Sequence, residues 1–262
     1  MPRFAANLSM MFNEVPFLDR FERAAIVGFK AVEFLFPYDH PAEEIATRLK
    51  RFGLVQALFN APPGDWAMGE RGTALFPNRQ SEFVAGIEMA IAYAKALDCR
   101  KLHVLAGIVP ADADMAVAEA TYVSNLQLAA DRAAAEGLSV LIEPLNPHDM
   151  PGYFLMSFAQ ARDILAKVAR PNVKLQLDLY HRQMTAGRLA DSTREFWPLV
   201  GHIQIAGVPG RNEPDVGEIN YPHLFELIDS LGYDGWIGCE YRPKAATAAG
   251  LGWAKPYGIT TS

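Results

Sequence analysis

Short apolar runs of strand length alternate along the chain with longer stretches in which apolar residues recur at helical spacing. The runs predict strands over 4–10, 31–36, 54–60, 101–107, 139–145, 173–179, 200–207 and 236–241. Between them, 17–28, 41–52, 79–97, 113–136, 157–168, 189–197 and 221–231 carry Ala, Leu and charged residues with a helical period. Several of these segments have the ends that helices need. Ser157 stands where an N-cap belongs, and Gly53, Gly137 and Gly232 sit just past helix ends. Regular alternation of this kind predicts a parallel sheet with crossover helices. An open doubly wound sheet would share it, but no Gly-x-Gly-x-x-Gly turn follows the first run. The expectation is α/β, a single (β/α)8 TIM barrel over 1–258 with a tail over 259–262.

Two connections are longer than ordinary βα loops. The segment 61–78 holds Gly64-Asp65-Trp66 and Gly69-Glu70-Arg71-Gly72, and 208–220 is rich in Pro, Gly, Asp and Glu. Both follow strands, so in a barrel they lie on the face where catalytic groups collect.

Polar residues end four consecutive strands, in Leu141-Ile142-Glu143, Gln176-Leu177-Asp178, His202-Ile203-Gln204 and Gly238-Cys239-Glu240. Side chains alternate along a strand, so Gln176 shares a face with Asp178, His202 with Gln204, and Gly238 with Glu240. If the intervening apolar residues face the helices, these polar sets line the barrel mouth. One acid at a strand end is commonly just solvated or ion-paired. Three carboxylates and an amide oxygen brought together would repel one another and lose hydration without a compensating cation. All-oxygen donors suit Mg2+ or Mn2+ better than Zn2+.

Composition narrows the alternatives. The 262 residues are 50% hydrophobic and 21% charged, the balance of a globular chain with a large core. A net charge of -6 argues against a phosphate backbone as partner, and no run reads as a membrane span. With only Cys99 and Cys239, a disulfide framework is not expected and a reducing, cytoplasmic setting fits. Whether the chain forms a homo-oligomer is left open.

The runs Leu141-Ile142-Glu143-Pro144-Leu145-Asn146, Gln176-Leu177-Asp178-Leu179-Tyr180-His181, His202-Ile203-Gln204-Ile205-Ala206 and Gly238-Cys239-Glu240-Tyr241 resemble those of hydroxypyruvate isomerases, which include 2-oxo-tetronate isomerases. That family belongs to the xylose isomerase-like TIM barrels. The likeness runs from Ala6-Asn7-Leu8-Ser9-Met10 to the last strand and leaves out 259–262. It implies one divalent metal ion held by Glu143, Asp178, Gln204 and Glu240, with the two glutamates also transferring protons. His181 matches a substrate-contacting position. Related ketose 3-epimerases usually place a His where Gln204 stands, which tilts the expectation toward the isomerases.

The expected reaction moves a carbonyl by one carbon through an enediolate, in a short hydroxy-oxo acid or sugar. Hydroxypyruvate to tartronate semialdehyde and 2-oxo-tetronate to 3-oxo-tetronate are the leading pairs, and a tagatose- or psicose-type ketose 3-epimerase is the alternative. Arg71, Arg211, Arg242 and Lys244 are candidates for holding a substrate carboxylate, and Trp66 for closing over it. His202 reads as a buried hydrogen-bonded residue, while His103 and His148 are undecided. A DNA phosphodiesterase would call for many His ligands and a basic groove, which six histidines scattered along an acidic chain do not supply. A noncatalytic sugar-binding barrel would need no acid-base pair.

Overall fold

A computed structural model describes residues 1–260. The eight strands, β1 (Arg3–Asn7), β2 (Ala31–Phe34), β3 (Val55–Asn60), β4 (Lys101–His103), β5 (Ser139–Ile142), β6 (Val173–Asp178), β7 (Val200–Ile205) and β8 (Trp236–Cys239), close in sequence order. All neighbours are parallel, and β1 pairs with β8 through Ala5 opposite Gly238. The barrel expected from the alternation is therefore the fold. Its helices are α1 (Arg20–Ile26), α2 (Ala42–Phe52), α3 (Gln80–Ala96), α4 (Met115–Ala135), α5 (Phe158–Val168), α6 (Leu179–Thr185), α7 (Leu189–Phe196) and α8 (Tyr221–Ser230). Among the described residues, no helix is long and apolar enough to cross a membrane.

Local chemistry accounts for the helix boundaries. In α2, Ala42, Ile45 and Leu49 form one buried stripe, acids occupy the first turn, and Lys50 and Arg51 occupy the last, which suits the helix dipole. Gly53 then adopts a left-handed conformation that closes the helix. Ser157 caps α5 by accepting the backbone N–H of Gln160 at 3.1 Å.

Two elements depart from the periodicity. The short helix α6 starts directly at the end of β6, because Asp178 caps it from the last strand position. A 3-10 helix, Thr247–Tyr257, follows β8, with Pro256 inside it and Leu251 and Ala254 buried. Of the tail 259–262, Ile259 packs into the core and the Thr260 N–H donates to the Val27 carbonyl at 2.8 Å. Residues 261–262 lie outside the described residues.

The main core lies between sheet and helices. Val140 and Ile142, Leu175 and Leu177, Ile203 and Ile205, and Ile237 and Cys239 all join it. Their neighbours of opposite parity turn into the barrel. Ala5, Ala31 and Ala57 form a small separate apolar cluster against Trp236. The two cysteines are buried free thiols.

Candidate active site

Glu143 follows β5 and Glu240 follows β8, while Asp178 ends β6 and Gln204 lies near the end of β7. Strand register places Asp178 opposite Gln204 and Gln204 opposite Gly238. All four side chains point inward and are buried, at 3%, 8%, 0% and 1% exposure for Glu143, Glu240, Asp178 and Gln204. Donor atoms of Glu143, Asp178, His181 and Glu240 lie within 4.8 Å of one another.

Burial raises the pKa of all three carboxyls above the usual range, and the charges of Glu240 and Asp178 add to the effect at Glu143. Asp178 spends Oδ1 on capping α6, where it accepts Tyr180 N–H at 2.7 Å, and its buried Oδ2 has no hydrogen-bond partner. Glu143 Oε1 is likewise unpaired. Unpaired, buried and mutually repelling oxygen donors are the arrangement that a divalent cation would satisfy, so the cluster fits one.

Arg211 supplies the positive charge nearest these acids. Its guanidinium donates to Glu240 and lies 3.7 Å from Asp178 Oδ2 and 3.5 Å from Asp149. It also stacks over Tyr180 at 5.0 Å. The acids around it hold its own pKa above the usual guanidinium value despite burial.

His181 belongs to the cluster by distance but not by tautomer. Its Nδ1 accepts the backbone N–H of Asn146 at 3.1 Å, and burial holds the ring neutral by lowering its pKa. The proton of the neutral ring then sits on Nε2, the nitrogen 3.7 Å from Asp178. A protonated Nε2 donates to an oxygen and cannot ligate a cation. This geometry separates His181 from the oxygen donors.

Several contributors were not singled out from sequence. Glu33 on β2 is 1% exposed and accepts hydrogen bonds from Asn7, His202 and Gln204 at 3.0, 2.7 and 2.7 Å. A lone acid inside the apolar run 31–36 was the available signal. Gly238 makes room for it, since a Cβ there would overlap the Glu33 carboxylate. His202 is thus a buried hydrogen-bonded residue. His103 lies 3.3 Å from Asn60 Oδ1 and 3.7 Å from Glu143 Oε2, and burial pushes its pKa down to about 3.

Above the carboxylates opens a cavity of about 800 Å3, lined among others by Trp66, Arg71, His103, His181, Arg211 and Arg242. Lys244 and His148 are not among its lining residues. The long β3–α3 loop reaches it because Gly72, at φ +118°, lets the backbone lie against the Leu105 carbonyl. Trp66 packs on Phe36 at 5.0 Å, and the Arg71 guanidinium lies 3.8 Å over the Trp66 ring. One Arg71 nitrogen donates to the carbonyls of Trp66 and Glu70. Among the described residues, no carboxylate forms an ion pair with Arg71.

The family model described as xylose isomerase-like TIM barrel matches residues 21–257. The chain belongs to that family. A 2-oxo-tetronate isomerase of Cupriavidus necator is 59% identical over 98% of this chain and 99% of its own length. A hydroxypyruvate isomerase of Escherichia coli is 46% identical over 98% of this chain and its full length, 100%. A crystal structure of a Brucella melitensis protein named AP endonuclease, family 2, superposes with a TM-score of 0.96 at 52% identity, covering 98% of this chain and 99% of that one. The chain is an enzyme of the isomerase kind within this family, as its curated relatives are named.

Proposed function

We propose that this isomerase interconverts short hydroxy-oxo acids, hydroxypyruvate with tartronate semialdehyde or 2-oxo-tetronate with 3-oxo-tetronate, using one Mg2+ or Mn2+ held by Glu143, Asp178, Gln204 and Glu240. The observation that carries it is the buried carboxylate set with unbonded Asp178 Oδ2 and Glu143 Oε1, next to a cavity that Glu143 and Glu240 line. Oxygen donors favour a hard cation over Zn2+. When bound, that cation would supply positive charge to stabilise a developing enediolate.

The chain's own residues do the rest. Glu143 and Glu240 come from β5 and β8, so they approach a substrate from different sides. One takes the proton from the carbon bearing the hydroxyl, and a proton is returned to the neighbouring carbon, which was the carbonyl. In hydroxypyruvate a C3–H bond breaks, a C2–H bond forms, and the hydroxyl proton passes from O3 to O2. Burial raises both carboxyls above the usual range, Glu240 to about 7, which suits groups that must both hold and release a proton. His181 Nε2–H donates to a substrate oxygen, and Trp66 covers the cavity against water.

Arg71 is the cation assigned to the substrate carboxylate, since Arg211 is already engaged by Glu240, Asp178 and Asp149. Arg71→Ala is expected to raise KM for hydroxypyruvate about 10–100-fold, the loss of one charge-assisted contact, with a smaller change in kcat. Initial-rate kinetics check this, and an unchanged KM removes Arg71 from the role.

Cation binding must displace protons from the raised carboxyls. Burial pushes Asp178 up to about 6 and Glu240 up to about 7, and it raises Glu143 well above the usual carboxylate range, with Glu240 and Asp178 adding to the effect. Protons compete with the cation at all three groups, so Mn2+ affinity is expected to rise with pH as these carboxyls lose their protons. Calorimetry in buffers of different ionisation enthalpy measures the affinity and the protons released. A pH-independent affinity with no proton release would contradict the assignment.

The functional reading itself is tested by assaying hydroxypyruvate and 2-oxo-tetronate beside fructose and tagatose with added Mg2+ or Mn2+. Turnover of the acids but not the ketoses is expected. Turnover of the ketoses alone overturns it in favour of a 3-epimerase.

A further inference from the structure

The buried polar groups beneath the carboxylates form a chain with a direction. Glu33 accepts from Gln204 Nε2 at 2.7 Å, Gln204 Oε1 accepts from Gln176 Nε2 at 2.6 Å, and Gln176 Nε2 also donates to Glu143 Oε2 at 2.8 Å. Each member lies inside the barrel, with Glu33, Gln176 and Gln204 all 1% exposed. A Gln amide has two faces of similar size and opposite polarity, so its orientation must be set by its neighbours.

A carboxylate can only accept. Glu33 therefore turns the Gln204 NH2 toward itself and leaves the Gln204 oxygen on the side of Gln176. Gln176 then faces two acceptors, Gln204 Oε1 and Glu143 Oε2, and must present its NH2 to both. The consequence is visible on its other side, where the buried Gln176 Oε1 has no partner. Flipping Gln176 would set its oxygen against both acceptors.

The seat of Glu33 is also built. A register shift between β2 and β3 falls at Val32 and Glu33, Asn7 stands opposite it on β1, and Gly238 clears its space from β8.

We propose that Glu33 is a positioning residue whose carboxylate orients the Gln204 and Gln176 amides in series. It thereby holds the Gln204 oxygen toward the acidic cluster and a Gln176 N–H on Glu143. The proposal rests on the reading of Glu143 as a proton-transferring group and Gln204 as a cation ligand. Glu33 touches no substrate and acts through the two amides.

The test compares Glu33→Met, which removes the acceptor, with Gln176→Met, their double variant and His202→Asn, which removes another of the Glu33 hydrogen bonds but lies off the chain. Glu33→Met and Gln176→Met are each expected to lower kcat about 10–100-fold with KM little changed, the usual cost of losing a supporting partner of a metal site. The double variant should be no worse than the singles, because both break one chain. Calorimetry on metal-free Glu33→Met should show weakened Mn2+ binding. His202→Asn should lower thermal stability and leave kcat near that of the unmodified enzyme.

Wild-type kcat and Mn2+ affinity in Glu33→Met overturn the proposal, as does an equal loss in Glu33→Met and His202→Asn. If Glu33→Met does not fold, Gln176→Met decides, and wild-type kcat there overturns it. Hydrogen exchange of the Gln204 and Gln176 side-chain amides separates this idea from the functional reading. If the unmodified protein neither turns over the acids nor binds Mn2+, the functional reading fails. Slow exchange of both amides that accelerates no more than slightly in His202→Asn, but strongly for both amides in Glu33→Met and for the Gln204 amide in Gln176→Met, still supports the orienting chain. Fast exchange in the unmodified protein overturns it.

Discussion

Replacing Glu143 by Gln, or Glu240 by Gln, is expected to lower kcat for hydroxypyruvate by about 10²–10⁴-fold, the range that a positioned proton-transfer group contributes. Gln keeps the shape of the side chain and loses the ability to take a proton. The metal-free fold of Glu143→Gln should not suffer. The Glu143 carboxyl is buried and raised by desolvation and by Glu240 and Asp178, so a neutral amide avoids a charge that burial disfavours. Metal-free Glu143→Gln is thus expected to melt at or above the temperature of the unmodified protein. Steady-state rates, loss of substrate hydrogen to heavy water, and thermal unfolding measured together check this. Near-normal turnover in either variant removes that residue from the proton transfer.

Chelation is expected to have an effect of similar size. Treatment with EDTA should reduce turnover to background, and Mg2+ or Mn2+ should restore it while Zn2+ restores it poorly, because the donors are oxygens. A thermal readout is independent of catalysis. At a cation concentration of about 100 Kd, linkage supplies roughly 2.7 kcal/mol, which for a chain of this size raises the melting temperature by roughly 5–10 °C. The rise should shrink in Asp178→Asn, since Asp178 Oδ2 makes no hydrogen bond and is the oxygen offered to the cation. An enzyme that keeps full activity after exhaustive chelation would exclude the proposed cation role.

Much of this architecture was legible in one dimension. Short apolar runs alternating with helical segments pointed to parallel strands and crossovers, and the closed order from β1 to β8 is the barrel they predict. The parity of Gln176 with Asp178 and of His202 with Gln204 placed these residues on the inner face, because a strand has no other way to alternate. Helix ends at Gly53 and Ser157 were readable because capping is local chemistry. The helix α6 was not, since its cap is a strand residue, and neither was the 3-10 helix Thr247–Tyr257, whose stability comes from packing rather than period.

What the sequence determined by itself is therefore the barrel, the inward parity, and the set of side chains that share the mouth. Tertiary structure decided their partners. Glu33 sits 171 residues from Gln204 along the chain yet lies 2.7 Å from it, and Gly238 gives it space only because β1 and β2 close against β8 and β3. His181 passes from a cluster member to a hydrogen-bond donor because Asn146 holds its Nδ1. Arg211 and Arg71 look alike as loop arginines, but only the fold engages one with the carboxylates and leaves the other facing the cavity. Period and parity are properties of neighbours in the chain, whereas protonation, amide orientation and ion pairing depend on groups that meet only when the barrel closes.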